Sequence, residues 1–105
     1  MYNIALVCEH GASTGLCVRK MREAAEKESI ECVIDAYSAL KLDSIVDNMD
    51  CILVGPQLSF KLEKFKQAYP ENAAKMAVIN SMDFGMMNGS KILNDAMSLI
   101  KQQEK

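Results

Sequence analysis

The chain has 105 residues, half of them apolar, with 12 basic and 14 acidic side chains and a formal net charge of −2. That length buries a core without metal or disulfide staples and predicts a single domain over residues 1–105. Lysine and glutamate are interleaved rather than gathered into a basic stripe, and no apolar run is long enough to span a bilayer, so neither nucleic acid nor direct membrane insertion is expected.

Apolar runs alternate with helical patterns in four pairs. The first strand is expected from Asn3 to Val7, on the continuous run Ile4, Ala5, Leu6, Val7. A helix follows from about Ser13, a suitable N-cap, to Lys27. It carries Thr14, Cys17, Val18, Met21 and Ala25 on one face, while Arg19, Lys20, Glu23, Glu26 and Lys27 make its solvated side. Glu31 to Ala36 reads as the second strand, because Cys and β-branched residues cluster over strand length. Leu42, Ile45, Val46 and Met49 form a short helical face. Cys51 to Val54 is a third strand, apolar on both sides as a central parallel strand should be.

Gly55-Pro56-Gln57 ends that strand. The next helix has Leu58, Leu62, Phe65 and Tyr69 at helical spacing and closes at Tyr69-Pro70, since proline cannot continue it. Lys75 to Ile79 is the fourth strand and Asn80 to Gly89 a loop. A last helix starts near Ser90 with Leu93, Ala96, Met97 and Ile100 on one face.

Short βα units of this kind predict an α/β fold of three layers: a four-stranded parallel sheet with helices on both faces. In such a sheet ligands bind beyond the strand C-termini, where the strand order reverses. For the order 2-1-3-4 that crevice lies between strands one and three, lined by the loops Cys8 to Thr14 and Gly55 to Gln57.

Those loops direct attention to Cys8. A thiol at the end of a buried strand is followed by Glu9-His10-Gly11-Ala12-Ser13-Thr14-Gly15, small or polar residues leading into a helix N-terminus. Backbone donors and the helix dipole there suit an anion, and the same field favours the thiolate. Cys8 is therefore the expected nucleophile, with Glu9, His10, Gly11, Ala12, Ser13, Thr14 and Gly15 as the phosphate-binding loop. Gln57 either caps the third helix or makes a polar contact in the crevice. The other cysteines, Cys17, Cys32 and Cys51, lack CxxC spacing and read as core residues. Cys8 and His10 alone do not complete a metal site, and neither metal nor cofactor is expected.

The loop is not a Walker A sequence, since no Gly-Lys-Ser/Thr closes it, nor GxGxxG. It is closer to the Cys-x5-Arg loop of low-molecular-weight tyrosine phosphatases, but the sixth residue after Cys8 is Thr14 and Arg19 lies well down the helix. Without a guanidinium on the phosphoryl oxygens, a phosphocysteine should persist instead of being hydrolysed rapidly.

Taken with Leu16 to Met21, Leu53-Val54-Gly55-Pro56-Gln57, Val78-Ile79 and the later Gly85 and Gly89, the Cys8 loop resembles that of enzyme IIB of the sugar phosphotransferase system, in its lactose/cellobiose/chitobiose branch. The resemblance spans essentially the whole chain. It implies a cytoplasmic phosphotransferase subunit in which Cys8 accepts phosphate from a phosphohistidine on a IIA protein. The group then passes to a sugar bound by a membrane IIC component. Glu9 and His10 depart from the small or hydroxyl-bearing residues of that family's loop. A carboxylate at Glu9 has to point outward, and a protonated His10 would favour both thiolate and phosphate. Apolar residues such as Ala12 and Met86 or Met87 are expected on a docking rim. Two other readings stay open: a small cysteine phosphatase or reductase of related fold, and a module that binds an oxyanion without covalent chemistry.

Overall fold

A computed structural model of the chain describes residues 1–9 and 14–104. Four parallel strands form its sheet: β1 (Tyr2–Cys8), β2 (Cys32–Ser38), β3 (Cys51–Val54) and β4 (Met76–Val78), in the order β2-β1-β3-β4. This is the expected order. The two middle strands are the ones whose apolar runs are unbroken. Ile4 to Val7 and Cys51 to Val54 are buried throughout, because each strand has neighbours on both flanks and helices over both faces.

Alternation along β1 divides the core. Ile4 and Leu6 point to one side with Ile34 and Leu53, under helices α1 (Gly15–Lys27) and α5 (Gly89–Gln103). Cys17, Val18, Met21, Ala24 and Ala25 supply the buried stripe of α1; Ile92, Leu93, Ala96 and Ile100 supply that of α5. Ala5, Val7 and Ile52 point the other way. They meet Leu42 of the short helix α2 (Leu42–Ile45), Val46, and Leu62 and Phe65 of α3 (Leu62–Ala68). Both faces are thus covered. No helix among the described residues is long and apolar enough to cross a membrane.

The two large helices touch closely at one point. A Cβ added to Gly89 would lie 2.4 Å from the Lys20 carbonyl oxygen, so only glycine lets α5 begin against the backbone of α1. At its other end α1 stops in a Schellman turn: Ile30 N–H donates to the Ala25 carbonyl and Ser29 N–H to that of Glu26, with Ser29 left-handed at φ 56°. Arg22 reaches from α1 to the edge strand β2, donating to the Ile34 carbonyl and pairing with Asp35.

Several boundaries differ from the sequence reading. Helix α1 starts at Gly15 after Thr14, and the Ser13 proposed as its cap lies outside the described residues. Pro56–Lys61 is 3₁₀ with Leu58 out of helical geometry, so the apolar spacing from Leu58 to Tyr69 runs across a kink and α3 proper is shorter. Within the expected Asn80–Gly89 loop lies a short helix α4 (Ser81–Gly85). The Asn80 side chain caps it, accepting from the N–H groups of Met82 and Asp83. On α5 it is Ile92 that is buried, whereas Met97 is only partly covered.

Candidate functional site

Cys8 ends β1 at the C-terminal edge of the sheet, at the crevice where the strand order reverses. On one flank it is in register with Ser38 of β2. On the other, Gly55 N–H donates to the Val7 carbonyl at 2.8 Å, extending the β1–β3 ladder by one bond beyond Val7 and Val54. A side chain on Gly55 would crowd this junction: its Cβ would stand 3.7 Å from Cys8 Cβ and 3.0 Å from Gln57 Oε1. Gln57 therefore folds its amide back over Gly55, on the side where Cys8 lies. It caps neither element there: Gly55 is the N-cap of the 3₁₀ turn Pro56–Lys61, and Lys61 that of α3.

Cys8 is 2% exposed, yet its sulfur is not sealed in hydrocarbon. Thr14 Oγ1 donates to Cys8 Sγ at 3.5 Å, and Thr14 is itself fully buried. Its carbonyl accepts from Val18 N–H at 2.9 Å, the first bond of α1. One residue thus links the sulfur to the N-terminus of a thirteen-residue helix whose first turn carries no acidic side chain. An anion above the sulfur would meet the positive end of that helix with no carboxylate in its first turn to compete.

The remaining loop residues divide in two. Glu9 is exposed, and Ser38 Oγ donates to its backbone carbonyl at 3.1 Å while accepting from Leu40 N–H. Gly15 is exposed, and among the described residues a Cβ there would meet no atom beyond its chain neighbours and its own helix within 4 Å. His10, Gly11, Ala12 and Ser13, all named from sequence as phosphate-binding, lie outside the described residues. Arg19 faces solvent on α1.

Ser38 escaped the sequence reading, although a serine at a strand end before a helical turn is a capping signal. It both caps the turn after β2 and ties down the first residue after Cys8. Gly55 was expected, with Gln57, to line the crevice opposite the Cys8 loop, and the structure brings it there beside Cys8.

The other three cysteines lie in or against the core. Cys17 and Cys51 are wholly buried, and burial pushes their thiols up to about 11 and about 12 respectively, Asp50 adding to the effect on Cys51. Both are core residues as expected. Cys32 is only half-buried, because it opens the edge strand β2 and has solvent on one flank; burial still raises its thiol. Among the described residues no cysteine forms a disulfide, and no three or more His, Cys, Asp or Glu side chains gather in a way that could hold a metal.

Past the strand C-termini several large apolar side chains stand in solvent. Leu40, two residues past β2, is 89% exposed; Phe60, after β3, is 75%; Met86, just past α4, is 73%; Met82 is similarly open. Met87, the alternative to Met86 in the sequence reading, packs instead against the core.

Comparison with known proteins agrees with this geometry. Residues 3–95 match the family model described as the lactose/cellobiose-specific IIB subunit of the PTS system. The chain is 34% identical over 103 residues to the oligo-beta-mannoside-specific EIIB component of Bacillus subtilis, covering 98% of this chain and all of that one. It is also 34% identical over 102 residues to the galactose-specific EIIB component of Lactococcus lactis, covering 92% of this chain and 94% of the relative. The solution structure of the cellobiose-specific phosphotransferase IIB component of Borrelia burgdorferi superposes with a TM-score of 0.81 at 31% identity, over 96% of this chain and 93% of that one. The chain belongs to the lactose/cellobiose-specific IIB subunits of the phosphotransferase system, and is thus a phosphotransferase subunit that carries phosphoryl groups for sugar transport.

Proposed function

We propose that Cys8 is the phosphoryl-carrying residue, and that the loop Glu9, His10, Gly11, Ala12, Ser13, Thr14, Gly15 cradles the group, with Gln57 at the crevice. The observation that carries this reading is the meeting of Cys8 Sγ, the Thr14 hydroxyl and the start of α1 at the reversal point of the sheet.

The cycle has two steps. The Cys8 thiolate attacks phosphorus in line with the nitrogen of a phosphohistidine on a IIA partner. The S–P bond forms and the N–P bond breaks, leaving its electron pair on the imidazole, which takes a proton from water. A hydroxyl of a sugar held by a membrane IIC partner then attacks the same phosphorus. The O–P bond forms, the S–P electron pair returns to sulfur as thiolate, and the hydroxyl proton passes to a base on the sugar-binding partner. Thr14 stands where a Cys-x5-Arg loop has its guanidinium, which favours transfer to a partner over hydrolysis.

Both partners have to approach the same sulfur in turn, so both would use the rim of Leu40, Phe60, Met82 and Met86. Such contacts suit brief, repeated encounters. Two relatives of equal identity are named for different sugars, oligo-beta-mannoside and galactose, which supports assigning the choice of sugar to the membrane partner.

The test is an intact mass after incubation with phosphoenolpyruvate, the general carriers and a matching IIA. A gain of one phosphoryl group, lost in Cys8→Ser, is expected. Burst hydrolysis of an aryl phosphate would indicate a phosphatase instead, and phosphate binding without a mass gain an oxyanion-binding module.

A further inference from the structure

We infer that the Thr14 hydroxyl acts on the sulfur of Cys8 and not chiefly on the phosphate: it is a positioning residue that stabilises the thiolate before attack and again as sulfur leaves. The inference rests on Cys8 being the phosphoryl carrier and assigns one member of its loop a distinct task.

Three observations bear on it. Thr14 is fully buried, so its hydroxyl has given up bulk water. Oγ1 donates to Sγ at 3.5 Å. Thr14 also occupies the N-cap position of α1 without making a side-chain cap bond. A threonine there ordinarily turns its oxygen to an N–H of the first turn from an extended backbone. Here φ is −96° and ψ −6°, so the residue is helical and its side chain is directed elsewhere. Its β-branch stiffens χ1 and helps hold the hydroxyl toward the sulfur.

The chemistry follows from where charge resides. Sulfur carries a full negative charge in the free thiolate and much less once bonded to phosphorus. A donor fixed on sulfur is therefore strongest before S–P forms and after it breaks. When the acceptor oxygen attacks phosphorus, the S–P electron pair returns to sulfur and the Thr14 hydrogen bond strengthens on it, with no proton changing hands. The hydroxyl thus lowers the barrier for release of the phosphoryl group from sulfur, and it favours formation by increasing the share of Cys8 present as thiolate rather than thiol.

Full-length Thr14→Val, Thr14→Ala and Thr14→Ser are compared with wild type, their melting curves checking that each folds. Two rates are read: iodoacetamide alkylation mapped to Cys8 at neutral pH, and single-turnover release of phosphate from phosphocysteine to the acceptor. Loss of a hydrogen bond to a charged sulfur should slow both about tenfold in Thr14→Val and Thr14→Ala, with the KM for the phosphorylated donor unchanged. Thr14→Ser, which keeps the hydroxyl, should return to within about twofold of wild type. Wild-type rates in Thr14→Val and Thr14→Ala would overturn the inference. So would an equal loss in Thr14→Ser, which would mark a packing role. If wild type takes up no phosphoryl group, the carrier reading fails, while alkylation still decides whether Thr14 acts on the sulfur.

Discussion

The two ends of the sheet are built on opposite plans. At the N-terminal end, polar groups are tied together. Asp50 Oδ2 accepts from Asn3 N–H at 2.7 Å, Asp50 N–H donates to the Asn3 carbonyl, and buried Lys75 donates from Nζ to the Met49 carbonyl at 2.6 Å. Gln103 at the end of α5 donates to the Asp50 carbonyl. At the C-terminal end the strands run out into Cys8, Ser38, Gly55 and Asn80, and large apolar side chains stand in solvent around them. One end resolves its polar groups internally; the other holds the proposed nucleophile and leaves large apolar side chains in solvent. Changes at the first should move stability without touching transfer, and changes at the rim should do the reverse.

The largest effect is expected beneath the open end. Gly89→Ala should cost about 2–3 kcal/mol, since the new methyl meets the Lys20 carbonyl and neither backbone can yield cheaply. Chemical denaturation reads this directly, and a change below about 0.5 kcal/mol would mean that the α1–α5 contact is not tight. At the closed end, Lys75→Ala removes the donor to the Met49 carbonyl and should destabilise by about 1–3 kcal/mol. Phosphoryl transfer measured well below the melting temperature should stay at the wild-type rate; a loss of transfer would break the division of labour.

On the rim, the paired change Leu40→Ala with Phe60→Ala should leave the denaturation midpoint almost unmoved, because both side chains are solvated. It should raise the KM for the phosphorylated donor protein about tenfold. An unchanged KM would remove these residues from docking. Ser29→Gly is the smallest effect and is far from the chemistry. Relieving the left-handed strain at the end of α1 should stabilise the protein by about 0.5–1 kcal/mol in the same denaturation assay.

What could be read from the sequence follows how local the physics is. Strands β1 and β3 were legible because a middle parallel strand must be apolar on both faces, and Ile4–Val7 and Cys51–Val54 are. Right-handed crossovers alone allow several sheet orders; 2-1-3-4 was favoured because it brings the two most loop-like strand exits together, and it is the order observed. The kink at Leu58 was not: apolar spacing is satisfied whether Pro56–Lys61 is 3₁₀ or α-helical. Helix α4 was missed because five residues carry no apolar period, although Asn80 with Asp83 three residues on is a capping signal. Within the site, Cys8 stood out through its local neighbours. Gly55 was placed opposite the Cys8 loop through the expected strand order, whereas the bond from Ser38 to Glu9 was not foreseen, because it depends on the β1–β2 register that no single stretch encodes.

His10 is the chain's single histidine and stands two residues from Cys8. The most direct test of the account is therefore phosphorus NMR, with peptide mapping, on protein phosphorylated through its IIA partner. The account predicts one S–P resonance that maps to Cys8 and vanishes when sugar and IIC are supplied. An N–P resonance mapping to His10, or no bound phosphorus at all, would contradict it.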